Sequence, residues 1–321
     1  MLLRAVTVGL FVLGLPCWVA AAESYPAKPV RMIVPWPTGG TADIVTRVVT
    51  QKLETIWGQP VVVENKGGAS GNIGSELVTR AAPDGYTLMY GAMSTHAMNQ
   101  WLYSKMTFDP VKDFTPISML LISTTVLVVP GDSPLRSVAD LIAHAKASPG
   151  RLNYASVGNG SFSHLAGELL KSRAGIQATH VPYQGGAPAI VDLLAGRTDF
   201  LFIAAPPAVP HIRSGKLRLI ATADATRSSA FPDAPIVAET IPDFDIGVWS
   251  AFFAPPGTPR AIVDKINRDV RQVLQMPEVR QKLQDLGAEI IGSTPEALAA
   301  RMRQDAEKWG GIIKATGVRI D

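Results

Sequence analysis

Four glycine-rich stretches carry the residue types best suited to chemistry: Thr38-Gly39-Gly40-Thr41-Ala42-Asp43, Gly67 to Gly74, Gly158-Asn159-Gly160-Ser161, and Tyr183-Gln184-Gly185-Gly186. The first three lie between an apolar run and an amphipathic segment, a strand–turn–helix pattern. Glycine lets the backbone approach a guest closely, and the first turn of a helix exposes N–H groups at the positive end of the helix dipole. Such a loop holds an anion, most simply a carboxylate or phosphate. One loop alone reads equally well as an ordinary connection. Two of the stretches fall in the first half of the chain and two in the second, which suggests loops facing each other across a cleft and closing on a small carboxylate-bearing molecule. Charge-assisted hydrogen bonds from N–H groups supply affinity in such a site without an arginine clamp.

Competing chemistries lack their spacing. No glycine loop is followed by Gly-Lys-Ser/Thr, and Gly67 to Gly74 reads G-G-A-S-G-N-I-G, which misses the dinucleotide G-x-G-x-x-G pattern. Ser70 and Ser161 miss the G-x-S-x-G elbow; a secreted α/β hydrolase-like enzyme acting on a carboxylate-bearing small molecule is the alternative reading. His96, His144, His164, His180 and His211 form no H-E-x-x-H or H-x-H pair, so neither a metal nor a cofactor is expected. His96 and His164 flank candidate loops and read as local hydrogen-bonding groups, and His144 sits on a charged helix face. Asp43 reads first as a carboxylate that caps its own helix. Asp199 is either a turn acid or a cleft group for a ligand's amine or hydroxyl. Trp36 either stacks on a ligand or plugs the edge between domains.

The elements that position these loops alternate. Strands at Val30–Val34, Pro60–Asn65 and Tyr86–Gly91 are separated by helical segments, an order that implies a parallel sheet with helices on both faces and ligand loops at the carboxyl ends of its strands. A second unit places strands at Leu152–Ser156, Thr179–Tyr183, Phe200–Ala204 and Leu217–Ala221, with helices at Ser137–Ala147, from near Ser163, and at Ala189–Ala195. Ile117–Val129 is long for one strand and polar in its middle, so it is read as passing between domains; Ile246–Pro255 is the return. The remainder reads as helices at Arg260–Gln275, Glu278–Leu286 and Pro295–Lys314, with Thr258-Pro259 and Thr294-Pro295 as cap-plus-proline starts. The expected fold class is α/β, a two-domain clamshell with two crossing segments and C-terminal helices. Residues 23–123 plus 249–321 form domain 1 and residues 124–248 form domain 2, with a hinge between.

Composition agrees with this size. The 321 residues are 47% hydrophobic and 18% charged, which excludes disorder, and a net charge of +3 without a Lys/Arg run disfavours a nucleic-acid surface. Arg4, the apolar run Ala5 to Leu15 and Ala20-Ala21-Ala22 before Glu23 read as a secretory signal spanning residues 1–22 and cleaved after Ala22. The run is too short to span a membrane. Cys17, the one cysteine, falls inside the signal, and Pro16 before it is not the small residue a lipoprotein site needs. The mature chain then has no disulfide and no thiolate nucleophile.

Taken together the motifs resemble a known family. They include Val34-Pro35-Trp36-Pro37 running into Thr38 to Asp43 with Arg47, Val63-Glu64-Asn65-Lys66 running into Gly67 to Gly74, and Pro83-Asp84-Gly85-Tyr86. Phe108-Asp109-Pro110, Lys112 to Pro116, Tyr154-Ala155-Ser156 through Ser161, His164 to Glu168, Val181-Pro182-Tyr183 and Ala254 to Pro259 follow in order. The chain resembles the substrate-binding proteins of tripartite tricarboxylate transporters, the Bug or TctC family, over essentially its whole mature length. The resemblance implies a periplasmic binding fold, type II-like, that closes on a small organic acid and delivers it to membrane permease subunits, with no nucleic-acid partner and a monomeric state. It also implies that Trp36, Thr38, Gly39, Gly40, Thr41, Ala42 and Asp43 hold the ligand carboxylate, helped by Ala69, Ser70, Ser94, Thr95, Ser156, Gly160, Ser161, Tyr183 and Asp199. Trp36 stands where many relatives carry phenylalanine or a smaller residue, which mildly favours a flat or aromatic acid.

Overall fold

The strand β1 (Val30–Val34) is rich in β-branched residues because both its faces are covered, and Val30 and Met32 to Val34 are fully buried. The computed structural model describes residues 25–320; the expected signal, Cys17 included, lies outside the described residues. From β1 the chain continues through α1 (Thr41–Trp57), β2 (Val61–Asn65), α2 (Asn72–Thr79) and β3 (Thr87–Ala92). A π-helical turn at Ser94–Met98, the short α3 (Asn99–Leu102) and β4 (Thr115–Ser123) follow. Beyond Thr124 come β5 (Thr125–Pro130), α4 (Val138–Ala147), β6 (Leu152–Ser156), α5 (Phe162–Ala174) and β7 (Ala178–Pro182). Then come α6 (Gly186–Leu194), β8 (Phe200–Ala204), α7 (Ala205–Arg213) and β9 (Leu217–Thr222). The last stretch holds β10 (Val248–Ala254), α8 (Arg260–Gln275), α9 (Pro277–Asp285), β11 (Ala288–Ile290) and α10 (Pro295–Thr316).

These strands form two sheets, one six-stranded in the order β11-β4-β10-β3-β1-β2 and one five-stranded in the order β7-β6-β8-β5-β9. β1 pairs in parallel with β2 and β3, and β6 with β7 and β8, as β–α–β connections require. The strands that arrive from the other sheet run against their neighbours: β10 against β3 and β4, and β5 against β8 and β9. The sheets are therefore mixed, not wholly parallel as the alternation suggested. β11 pairs antiparallel with β4 and was not anticipated, since three residues are too few to show a period.

The long apolar run Ile117–Val129 breaks at Thr124, where the chain changes sheets. Thr124 N–H donates to Gly287 O (3.0 Å) and Thr124 O accepts from Ala205 N–H (2.8 Å). The return passes beside it. Thr125 Oγ1 donates to Ile246 O (2.7 Å), Ile246 N–H donates to Ala223 O (2.7 Å), and after Gly247 the chain enters β10. Two single-residue passages thus connect the units side by side.

Helix starts follow local chemistry. Thr294 accepts from Ala297 N–H (3.2 Å) and caps α10 as expected. Thr258 does not cap α8; its hydroxyl donates to Pro255 O (2.9 Å), closing the turn before Pro259 instead. Two tryptophans are held alike. Trp57, ending α1, donates its indole N–H to Asp269 on α8 (2.6 Å), and Trp249 on β10 donates to Asp305 on α10 (2.6 Å). Each aspartate is paired with a cation one turn earlier, Lys265 and Arg301. Replacing Asp305 by Ala leaves a buried indole N–H and an arginine without their acceptor. Urea denaturation of Asp305→Ala is expected to show a stability loss of about 2 kcal/mol or more, and Asp305→Asn, which keeps an acceptor, a smaller one.

Candidate functional site

The loop between β1 and α1 is held by a relay of side chains. Gly39 has φ +79°, a conformation natural only to glycine. Its N–H donates to Asp43 Oδ2 (3.1 Å), while Asp43 Oδ1 accepts from Arg47 Nε (2.9 Å). Arg47 reaches on to Asn65 Oδ1 (3.4 Å), and Asn65 Nδ2 donates to the carbonyl of Trp36 (2.9 Å). The relay starts and ends on the backbone of one loop and anchors it to β2. Gly40, the N-cap of α1, brings no side chain to the helix start, so no side chain caps the N–H groups of Thr41 and Ala42.

A second helix start faces the first. Gly185 (φ +110°) is the N-cap of α6, again without a side-chain cap. The approach is close: a β-carbon built on Gly39 would lie 3.7 Å from that of Ala187, and one on Gly185 would lie 3.6 Å from the ring of Pro37. Ser70 also reaches across, its hydroxyl donating to Asn159 O. The start of α5 is different, because Ser161 caps its own helix by accepting from His164 N–H (3.3 Å) and donates to Gly158 O (2.7 Å).

Between these loops lies a narrow chamber of about 80 Å³ that continues into a wider cleft of about 870 Å³. Trp36, Thr38, Ser94, Ser161 and Gln184 border both spaces, Gly40, Thr41 and Ala42 the chamber, and Ala69, Ser70 and Tyr183 the cleft. Trp36 stands edge-on to Tyr90, with ring centroids 6.0 Å apart. Among the described residues, no lysine, arginine or histidine side chain borders either space.

The other residues named from the sequence sit behind this surface. Gly39 and Asp43 belong to the relay. Thr95 is buried and exchanges hydrogen bonds with the Ala92 backbone, its Oγ1 also 2.8 Å from His96 Nδ1. Ser156 bonds to Gly158 and to His180 Nε2 (2.6 Å). Gly160 donates its N–H to His164 Nδ1 (3.1 Å). Asp199 accepts from Asn153 N–H (2.6 Å) near the start of β6, the end of that strand away from the cleft, which is the turn-acid reading. Sequence reasoning passed over Ala92, Val157, Phe162, Ile203, Ala204, Pro207 and Val248, which complete the chamber wall. Their types signal only core. Their place, at strand ends or, for Phe162 and Pro207, in the first turn of a helix, was the available clue.

Three histidines, His96 buried and His164 and His180 half-buried, support the loops from behind. His96 stacks on Phe253 (3.8 Å) inside the π-helical turn that presents Ser94, and burial pushes its pKa down to about 3. His164 and His180 stack on each other (3.9 Å) beneath the Gly158–Ser161 loop, with Tyr154 against His180 (4.9 Å). Burial lowers both; His180 falls to about 4, the neighbouring His164 adding to the effect.

Comparison with known proteins gives a consistent set of relatives. A family model described as the tripartite tricarboxylate transporter family receptor matches residues 45–318. Protein BugT of Bordetella pertussis is 36% identical over 302 residues, 94% of this chain and 93% of its own. Among solved structures, an R. palustris protein with adipate superposes with a TM-score of 0.89 at 34% identity, covering 92% of this chain and 99% of the other. MatC from Rhodopseudomonas palustris with bound malate gives 0.85 at 33%, covering 90% and 100%.

The histidine stack generates a pH test. A histidine whose folded pKa lies below its ordinary 6.5 is protonated more readily in the unfolded chain, so its contribution is complete above pH 6.5 and is lost as pH falls toward 4. Melting temperature measured across that window is expected to fall less steeply for His180→Gln than for the parent. Equal slopes would place the His180 titration elsewhere.

Proposed function

The chain belongs to the tripartite tricarboxylate transporter receptor family, and from that premise we propose that it binds a small organic acid and hands it to the permease subunits of such a transporter. It is a receptor and not an enzyme, as are its solved neighbours, so the hydrolase alternative falls. The observation that carries the proposal is the pair of helix starts without side-chain caps, α1 and α6, meeting over a chamber bordered by no cationic side chain. A carboxylate there accepts from the N–H groups of Thr41 and Ala42 on one side and of Gly186 and Ala187 on the other. Hydrogen bonds to a charged group contribute about 1.5–3 kcal/mol each, and a micromolar Kd corresponds to about −8 kcal/mol. Four such bonds are of the right order without an arginine. The adipate and malate held by two relatives support an acid as the guest.

In this reading Trp36, Thr38, Gly40, Thr41, Ala42, Ser94 and Ser161 touch the ligand. Gly39 and Asp43 set the loop, and Ala69, Ser70 and Tyr183 border the entrance. Thr95, Ser156 and Gly160 support the loops from behind. The two units, residues 23–123 with 249–321 and residues 124–248, open and close about Thr124 and Gly247. The protein works as a monomer in the periplasm after removal of residues 1–22.

Thermal shift against di- and tricarboxylates, acidic amino acids and aromatic acids tests the receptor reading, since a true ligand stabilises by RT ln(1 + [L]/Kd). At least one acid is expected to raise the melting temperature. Gly39→Val, strained at its positive φ, is expected to cost at least about tenfold in affinity with the fold intact. Gly40→Val, whose extended backbone accepts a side chain, is expected to do so by placing its methyls over the helix start. Unchanged affinity in both would put the site elsewhere. N-terminal sequencing of the exported protein is expected to begin at Glu23.

A further inference from the structure

The chamber's donors are unevenly distributed, and this bears on which acids fit. The two helix starts that lack side-chain caps do not sit at opposite ends of the space. A β-carbon added to Gly39 would meet that of Ala187 at 3.7 Å and one added to Gly185 would meet the Pro37 ring at 3.6 Å, so the two loops lie close together and both sets of N–H groups serve one pole. A third helix, α7, also begins at the chamber wall, where its first turn would ordinarily present free N–H groups. Here Pro206 and Pro207 occupy its second and third positions and have no N–H to offer, and the Ala205 N–H is taken by Thr124 O (2.8 Å). Most of the remaining wall is apolar, made by Phe162, Ile203, Pro207 and Val248 with the Trp36 indole, and the polar side chains that border it, Thr38, Ser94, Ser161 and Gln184, are neutral and shared with the cleft. An ionised group against the apolar part of that wall would lose its water and gain no counter-charge, which is unfavourable. The chamber's about 80 Å³ matches roughly six water-sized units.

Building on the receptor reading, we infer that the preferred ligand carries a single carboxylate, held at the α1–α6 pole, on a compact apolar body of roughly six carbon atoms, a ring or branched chain, that fills the chamber. A second carboxylate finds there neither a second uncapped helix start nor a cationic side chain. This separates the chain from its relatives solved with adipate and malate, each of which has two acid groups. Val248, at the start of β10, is part of the apolar wall, so its size bears on the size of the body the chamber accepts.

Isothermal titration of the mature protein with benzoate, phenylacetate, isovalerate and hexanoate, against succinate, malate, adipate and citrate, tests the inference. At least one monocarboxylate is expected to bind about tenfold or more tighter than every di- or tricarboxylate. Val248→Phe, which fills the chamber, is expected to weaken that monocarboxylate by about tenfold or more. Val248→Ala, which only removes methyl groups, is expected to shift preference toward the longer phenylacetate, and it serves where the larger side chain unfolds the protein. A dicarboxylate or tricarboxylate binding as tightly as the best monocarboxylate, or Val248 variants that leave the ranking unchanged, would overturn the inference while the receptor reading stands. Failure of every acid to bind would remove the receptor reading itself.

Discussion

The cleft depends on where the Asp43 carboxylate spends its hydrogen bonds. At the third position of α1, a carboxylate is favoured by the helix dipole. By accepting from Gly39 N–H it holds the left-handed turn that brings the loop back over the helix start. Left unpaired, that negative charge would repel an anionic guest a turn away. Arg47, bonded at 2.9 Å and half exposed, offsets it and carries the constraint on to Asn65 and the Trp36 carbonyl. The Asp43 carboxylate thus spends its hydrogen bonds on Gly39 and Arg47, in line with its first reading as an acid that serves its own helix start.

The remaining structure brings a second donor set to the first. β5 and β10 cross between the sheets and run against their neighbours, so each unit is stitched to the other through strands in the interior of its sheet. The Thr124 and Gly247 passages lie side by side, linked through Thr125 and Ile246. The Trp57–Asp269 and Trp249–Asp305 bonds hold α8 and α10 to the six-stranded sheet and its α1 helix. Stacked His164 and His180 do the equivalent for the facing loop, filling the space beneath it with flat rings, His164 accepting the Gly160 N–H and His180 Nε2 hydrogen-bonded to Ser156 Oγ.

Much of the fold was legible because its signals are periodic or local. Alternation of apolar runs with amphipathic stretches located the strands and most helices, and the polar middle of Ile117–Val129 marked the crossing at Thr124. Antiparallel insertion of β5 and β10 was not legible, since pairing direction depends on contacts far apart in sequence. The three residues of β11 were too few to register. The glycine loops were legible as turns into helix starts without side-chain caps because positive φ and a missing cap are written in residue type. Their partition was harder. Thr95, Ser156 and Gly160 look like ligand groups by type and family resemblance, yet each is engaged by a neighbouring histidine. The apolar wall of Ala92, Ile203, Pro207 and Val248 could not be told from core, because a lining residue and a core residue differ only in what lies on the far side.

The central claim is that backbone N–H groups at the start of α1, and no cationic side chain, hold the ligand's acid group. The crystal structure of the complex with whichever acid raises the melting temperature measures this directly. The account predicts carboxylate oxygens about 2.7–3.1 Å from the N–H nitrogens of Thr41 and Ala42, with Asp43 still bonded to Gly39 and Arg47. A carboxylate seated instead on an arginine or lysine side chain, with the first turn of α1 left to solvent, would contradict it.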